Sequence, residues 1–200
     1  MKGEDYARHY REERFRTFWG RRTGARESRL LAALLERAAP NTGPWLDVPC
    51  GAGRLTPLLP QEPPPVGCDL SFFMAAAAEI PGGRVQGSAL ALPFRDGSFA
   101  GCLCFRLLHH LEGPAERIRV LGELARVSRC WVAISFFHRW SLQDLRRRLR
   151  HRFLGRRRGR RSVGWRRLRA EAAVVGLRAV AIRPLRPFIS EQWLVLLRKD

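Results

Sequence analysis

Lysine is nearly absent from this chain. Lys2 and Lys199 are the only two, and the other 35 of the 37 basic residues are arginines. This one-sided usage, alongside much Ala, Gly and Pro, bears the mark of a GC-rich coding bias. The formal charge of +19 acts physically whatever its origin. It favours nucleic acid, anionic lipid or an anionic substrate without choosing among them. Long apolar runs are missing too. The longest, Trp131 to Phe137, is broken by Ser135, well short of the ~18 residues that a membrane span needs. The first sixteen residues hold no apolar core, so no secretory signal is expected. Glu4, Asp5, Glu12 and Glu13 argue against an organellar transit peptide, and a cytoplasmic location is the expectation. No C-x-x-C pair occurs. Cys50, Cys68, Cys102, Cys104 and Cys130 are odd in number and lie in apolar contexts. They are expected as reduced core residues, with no metal site. No internal repeat or second domain is visible, and one domain is expected over residues 1–200.

The informative stretch is Trp45-Leu46-Asp47-Val48-Pro49-Cys50-Gly51-Ala52-Gly53-Arg54. A short apolar run ends in a carboxylate, a small-residue turn follows, and Leu55-Thr56-Pro57-Leu58-Leu59 begins a helix. This is a buried strand, a tight loop and a helix N-terminus. Glycines there admit a ligand close to the backbone, and the exposed N–H groups favour an anionic or carboxylate-bearing one. The dinucleotide fingerprint fits poorly, because counting from Gly51 puts Thr56 at its third glycine.

Other elements follow in order. Residues 1–40 form a helical flank, with aromatics Tyr6, Tyr10, Phe15, Phe18 and Trp19 at helical spacing, a break at Gly20 to Gly24, and a second helix from Ala25 to Ala39. Residues 41–140 form the core. Its strands are expected at Trp45–Val48, Val66–Leu70, Arg84–Gln86, Phe99–Phe105 and Cys130–Phe137. Its helices are expected at Leu55–Leu59, Phe72–Glu79 and Pro114–Val127. Residues 141–170 are an arginine-rich insertion. Residues 171–200 close the chain with the end of a helix over Trp165–Val175 and strands Leu177–Ile182 and Gln192–Leu197. Strands alternating with helices give a parallel sheet covered on both faces. Ligands then bind beyond the C-terminal strand ends, where Asp47, Asp69, Ser88 and Arg106 fall. Asp47 and Asp69 could alternatively serve only as turn or helix caps.

Four local patterns, D-V-P-C-G-A-G-R, V-G-C-D-L-S, G-S-A-L-A-L-P-F-R-D-G-S-F and L-L-H-H-L, resemble the class I S-adenosylmethionine (SAM) dependent methyltransferases, near the ubiquinone/menaquinone C-methyltransferase group. Pro49 departs from the family's first loop glycine, and Ser88 stands where the family has an acid. The resemblance implies a Rossmann-like, seven-stranded, mostly parallel sheet with helices on both faces and an antiparallel final strand. It implies SAM as cofactor. Gly51 and Gly53 would lie against its methionine part, with Asp47 anchoring that end. Asp69 would take both ribose hydroxyls, Leu70 the adenine face, and Ser88 and Ala89 the adenine edge. Phe105 and Arg106 would meet its amino group through a backbone carbonyl.

His109 and His110 are the candidates for a general base, and the alternative is that they pack beside the loop. No N-P-P-Y-type tetrapeptide follows the fourth strand, where Phe105-Arg106-Leu107-Leu108 stands. Adenine or glutamine N-methylation is therefore disfavoured. The acceptor expected is small or lipid-like and anionic. Two other readings stand beside it: an RNA methyltransferase, or a non-catalytic nucleic-acid or membrane-surface binding protein. Arg146 to Arg169 would be the contact for RNA or an anionic membrane. Its Leu145, Leu149, Phe153 and Leu154 recur at helical spacing.

Overall fold

Runs of apolar residues too short for helices become the buried centre of one sheet. The computed structural model describes residues 18–38, 43–146 and 161–200. Seven strands lie in the order β3-β2-β1-β4-β5-β7-β6. They are β1 (Trp45–Asp47), β2 (Val66–Asp69), β3 (Arg84–Gln86), β4 (Phe99–Cys104), β5 (Ser128–Phe137), β6 (Leu177–Pro184) and β7 (Gln192–Lys199). β1 to β5 run parallel, and β7 is antiparallel to both β5 and β6. The chain moves outward from β1 to β2 and β3, then returns to lay β4 on the other side of β1. The switch in strand order therefore falls between β1 and β4, where such sheets bind ligands.

The period of two in the strands sorts side chains onto two faces. Leu46, Cys102, Cys104, Val132, Ile134, Val195 and Leu197 face one core, which also holds Val120, Leu121, Leu124 and Leu168. These last belong to helices α3 (Pro114–Val127) and α4 (Trp165–Val174). Trp45, Leu103, Trp131, Ala133, Leu194 and Leu196 face the other core, with Leu31, Leu34 and Leu35 of helix α1 (Phe18–Leu35). A Cβ on Gly101 would come within 2.7 Å of the Trp45 ring, so the central strand needs a glycine there for Trp45 to lie flat. Cys50, Cys68, Cys102 and Cys104 are buried free thiols, and Cys130 is half-buried. Burial first, and Asp69 second, push the Cys68 thiol up to about 11, the signature of a core residue rather than a nucleophile.

Three expectations need correction. The break at Gly20 to Gly24 is absent, because α1 runs through both glycines. Each costs about 1 kcal/mol in a helix, and packing of the apolar stripe onto the sheet offsets this. The helix expected over Leu55–Leu59 is one 3-10 turn, Thr56–Leu58, too short beside the Pro-rich connection to become α-helical. The helix expected to Glu79 is α2 (Phe72–Ala76), and the chain leaves it early so that Ile80 can pack with Cys50 and Ala78. The aromatic helix proposed before Phe18 lies outside the described residues. Among the described residues, no helix is long and apolar enough to cross a membrane.

One buried ion pair locks α3 to α4. Arg117 donates to both Glu171 oxygens, at 2.8 and 2.6 Å, with both side chains under a tenth exposed. Glu171→Ala leaves a buried guanidinium without its main partner and is expected to cost about 3–5 kcal/mol in urea unfolding. Replacing both residues by methionine should recover most of that loss. Equal losses in the two variants would mean that the pair contributes packing alone.

Candidate active site

Gly51 and Gly53 take φ of 53° and 75°, the left-handed region that side chains disfavour. They turn the chain sharply off the end of β1 and aim its N–H groups sideways. Gly51 N–H donates to one oxygen of Asp69 at 2.9 Å, and the N–H of Ser71 donates to the other at 2.9 Å. Cys50 N–H adds a bond to the Cys68 carbonyl at 2.9 Å. Pro49 carries no N–H, so the loop's donors begin at Cys50. The loops after β1 and β2 are thus tied through one carboxylate, each of whose oxygens keeps further accepting capacity. Asp69 is 8% exposed, whereas the adjoining Leu70 is 70% exposed. A sheltered acid beside an open apolar side chain suits a ligand with paired hydroxyls and a flat ring.

The third wall comes from the loop after β3. Gly87 N–H donates to the Asp69 carbonyl at 2.9 Å, bringing Ser88 and Ala89 to the same edge. The Ser88 hydroxyl oxygen already accepts Leu90 N–H at 3.2 Å, so part of its expected capacity to accept from adenine is committed inside the loop.

Asp47 lies deeper, only 2% exposed, and accepts the Thr56 hydroxyl at 2.6 Å. Burial raises its carboxyl to about 7, although Thr56 and Arg54 both act to lower it, and Asp69 raises it further.

Beyond β4 the chain enters a left-handed residue again, Arg106 at φ 60°. Arg106 N–H donates to the Ser135 hydroxyl at 2.8 Å. Its guanidinium pairs with Glu27 and reaches the Gln192 side-chain oxygen at 3.3 Å. Glu27, wholly buried on α1, also pairs with Arg54 at 2.8 Å. Three separate segments, α1, the glycine loop and the end of β4, therefore meet on one carboxylate, and the start of β7 joins them through Arg106. Within this group Arg106 Nε and Gln192 Nε2 are buried donors with no hydrogen-bond partner. Phe105 is buried beneath, its ring 5.8 Å from the Arg54 guanidinium.

His109 sits elsewhere in character. It is 3% exposed and stacked on Phe137, with centroids 3.9 Å apart and planes 5° apart. His110 is exposed, its ring 4.1 Å from that of His109. The geometry of His109 is that of the packing alternative. Among the described residues, no group of three His, Cys, Asp or Glu is placed to hold a metal. Of the arginine-rich segment, Leu149, Phe153 and Leu154 lie outside the described residues. Sequence reasoning missed Glu27, Thr56 and Gln192. Glu27 had a signal, since it stands on the same helical stripe as Leu31 and Leu34. Gln192 had none, because only the antiparallel return of β7 brings it here.

Residues 46–130 match the family model described as a methyltransferase domain. This stretch is a methyltransferase domain. A protein of Encephalitozoon cuniculi that carries a methyltransferase name is 37% identical over 86 residues. That match covers 41% of this chain and 38% of the other, so the chain spans about two fifths of its curated relative. Among solved structures, magnesium protoporphyrin IX methyltransferase from Synechocystis PCC 6803 with bound SAH (S-adenosylhomocysteine) superposes with a TM-score of 0.76 at 15% identity, covering 100% of this chain and 95% of that one. Geranyl diphosphate methyltransferase in complex with GPP and sinefungin gives 0.62 at 15% identity, covering 86% and 77%. The fold around the methyltransferase domain is that of the class I SAM-dependent enzymes.

The raised Asp47 carboxyl makes stability pH-dependent. The folded group keeps its proton above the ordinary carboxylate range, so its contribution is full below about pH 4 and is lost as pH rises toward about 7. Asp47→Asn cannot ionise. Its stability relative to wild type is expected to rise across that window, by at most about 1.4 kcal/mol per pH unit, in urea unfolding at several pH values. Parallel curves would mean that Asp47 titrates normally.

Proposed function

We propose that this protein transfers the methyl group of S-adenosyl-L-methionine to a small, lipid-like acceptor bearing an anionic oxygen. The observation that carries the reading is the tied pair of loops. Asp69 closes the glycine turn after β1 while keeping accepting capacity beside the exposed Leu70. That arrangement fits the cofactor: the Asp69 carboxylate would accept from both ribose hydroxyls, Leu70 would lie under the adenine, and the backbone at Gly51 and Gly53, bare of side chains, would lie against the methionine part. Asp47, once ionised, would balance positive charge at that end. The bound cofactor supplies a methyl carbon already activated on a sulfonium, so the chain's task is alignment. Positioning of that kind contributes roughly 7–11 kcal/mol, and no proton-transfer pair is required when the acceptor is already an anion.

Arg106 and Gln192 support the acceptor's class. Their free Nε and Nε2 donors lie at the C-terminal ends of β4 and β5, beyond the glycine loop. Glu27 and the Gln192 side-chain oxygen both hold Arg106 through Nη2, leaving Nε to meet an oxyanion. Arg106 Nε and Gln192 Nε2 would aim the acceptor's oxygen at that methyl carbon, whose bond to sulfur would break, its electrons returning to sulfur, as the bond to oxygen forms. Burial of this site favours a reaction in which opposite charges cancel. The two structural neighbours are named for a magnesium porphyrin and a prenyl diphosphate, so fold alone does not choose the acceptor, and its reading rests on this chain's own residues.

Calorimetry should show one SAH site per chain. Asp69→Asn is expected to weaken it about tenfold to a hundredfold, the worth of hydrogen bonds to a charged acceptor. Absence of SAH binding would end the reading. With methyl-labelled SAM and cell extract, label is expected in small acidic or organic-soluble products, and label in RNA would replace the acceptor class. Arg106→Met should raise the acceptor's KM about tenfold or more while leaving SAH affinity nearly unchanged. A parallel fall in SAH affinity would assign the two donors to the cofactor's own carboxylate.

A further inference from the structure

The segment after β5 and the β6–β7 loop turn the ordinary polarity of a protein surface inside out. Trp140, Leu142, Leu145, Phe188 and Ile189 are 74, 43, 53, 87 and 50% exposed. They are five of the ten large apolar side chains exposed among the described residues. Four polar residues among or beside them are buried, Ser141 at 6%, Asp144 at 1%, Ser190 at 6% and Glu191 at 9%, while Gln143 is exposed. The two segments form one platform. Leu142 N–H donates to the Phe188 carbonyl at 2.9 Å, and Gln143 N–H to the Ile189 carbonyl at 3.2 Å.

The platform is held from below. The Ser141 hydroxyl caps the N–H of Asp144 at 3.1 Å, Asp144 accepts the Ser162 hydroxyl at 2.7 Å, and Gln143 accepts Glu191 N–H at 3.1 Å. The apolar side chains face outward because their polar neighbours are committed inward. Five such side chains on adjoining segments form a patch of the kind that marks an interaction surface.

Charge selects the occupant. Arg139 and Arg146 are exposed and Arg186 is half-buried, all within the same two segments, with the Arg139 guanidinium 5.7 Å from the Trp140 ring. The only acid in residues 139–146 is the buried Asp144, and residues 183–190 contain none. Apolar side chains ringed by arginine, with an exposed tryptophan among them, match the interface of an anionic bilayer. A second copy of this chain would bring another +19 charge against the same arginines. Single-stranded nucleic acid would stack on aromatics, and Leu142, Leu145 and Ile189 offer it no stacking face.

We infer that this platform docks the protein on an anionic lipid surface, with Trp140, Phe188 and Ile189 entering the headgroup–acyl boundary. The β6–β7 loop runs directly from Ile189 to Gln192, so docking brings the mouth beside Arg106 to the membrane. This last step deepens the acceptor reading above and rests on it, whereas the docking itself does not.

The test uses the full chain and vesicles of phosphatidylcholine, with or without phosphatidylglycerol. Co-sedimentation is expected only with phosphatidylglycerol present. Brominated acyl chains should quench tryptophan emission, and Trp140→Phe should remove most of that quenching. The triple variant Trp140→Ser, Phe188→Asn, Ile189→Ser should lose vesicle affinity about tenfold or more, with SAH binding unchanged as the control for folding. Asparagine is chosen at 188 because Phe188 has φ of 61°, which asparagine tolerates. Vesicle affinity unaltered in the triple variant overturns the inference. So does a wild-type dimer in light scattering that the triple variant dissociates, since the face would then be a self-association surface. Loss of SAH binding in wild type would fail the proposed function and leave the docking result standing.

Discussion

The Asp69 carboxylate is the tie on which the rest of the site depends. It ends β2, yet its two oxygens hold N–H groups from the loop after β1 and from the N-cap of α2. A glycine turn with two left-handed residues has little packing of its own and would sample many conformations. Fixing Gly51 against Asp69 sets the turn's height over the strand ends, and the backbone bond between Cys50 and Cys68 sets its lateral position. Because β1 and β2 are adjacent and parallel, the acid needs no long reach to do this. The sheet's register, made from buried apolar pairs, is thereby passed to the polar edge.

A second constraint is the handling of positive charge in a chain with about two bases for every acid. Buried charge is costly unless paired, and the fold spends its few buried acids where arginines must enter. Glu171 takes Arg117 between α3 and α4. Glu27 takes two arginines at once, Arg54 and Arg106. One carboxylate against two guanidiniums leaves a local excess of positive charge. With Nε of Arg106 unspent, that excess favours an anion over a neutral ligand. The same pairing gives α1 a purpose beyond covering the sheet. Its single buried acid fixes the orientation of Arg106, while its leucines hold the helix in place.

Most of the fold was legible because it is written in patterns that repeat. The alternation of Trp131, Val132, Ala133 and Ile134 between two cores is visible as an apolar run, and α3 shows its stripe through Val120, Leu121 and Leu124. The strands at Arg84–Gln86 and Gln192 and the helix over Pro114–Val127 stand where spacing puts them. Local glycine content misled at Gly20 and Gly24, because tertiary burial of Leu31 and Leu34 outweighs two unfavourable helix residues. At the site, Asp47, Gly51, Gly53 and Asp69 could be read because each ends or follows a strand. Gln192 could not, since its approach to Arg106 is made by β7 running backward beside β5. The inverted platform was equally hidden. Spacing shows Leu145 only as part of an amphipathic stripe with Leu149, Phe153 and Leu154, and nothing in sequence joins Leu142 to Phe188 and Ile189, which two backbone hydrogen bonds bring together.

The reaction we propose, methyl transfer from a sulfonium to an anion, would end with less charge than it began. Two fields at the strand ends bear on such a step. Asp47 and Asp69 lie on the side of the glycine loop, where a cation would bind, and Arg106 with Gln192 lies on the side of β5 and β7, where an anion would bind. The acids and the arginine belong to different loops of one rigid sheet, so they hold the opposite charges apart at a fixed separation. They cannot collapse onto one another, because Glu27 and Thr56 occupy the intervening partners. A site of this kind needs no side chain to accept or give a proton during the step. What it would need is that the three segments meeting on Glu27, and β7 joined to them through Arg106, stay in register, which ties the packing of α1 on the sheet to the proposed reaction.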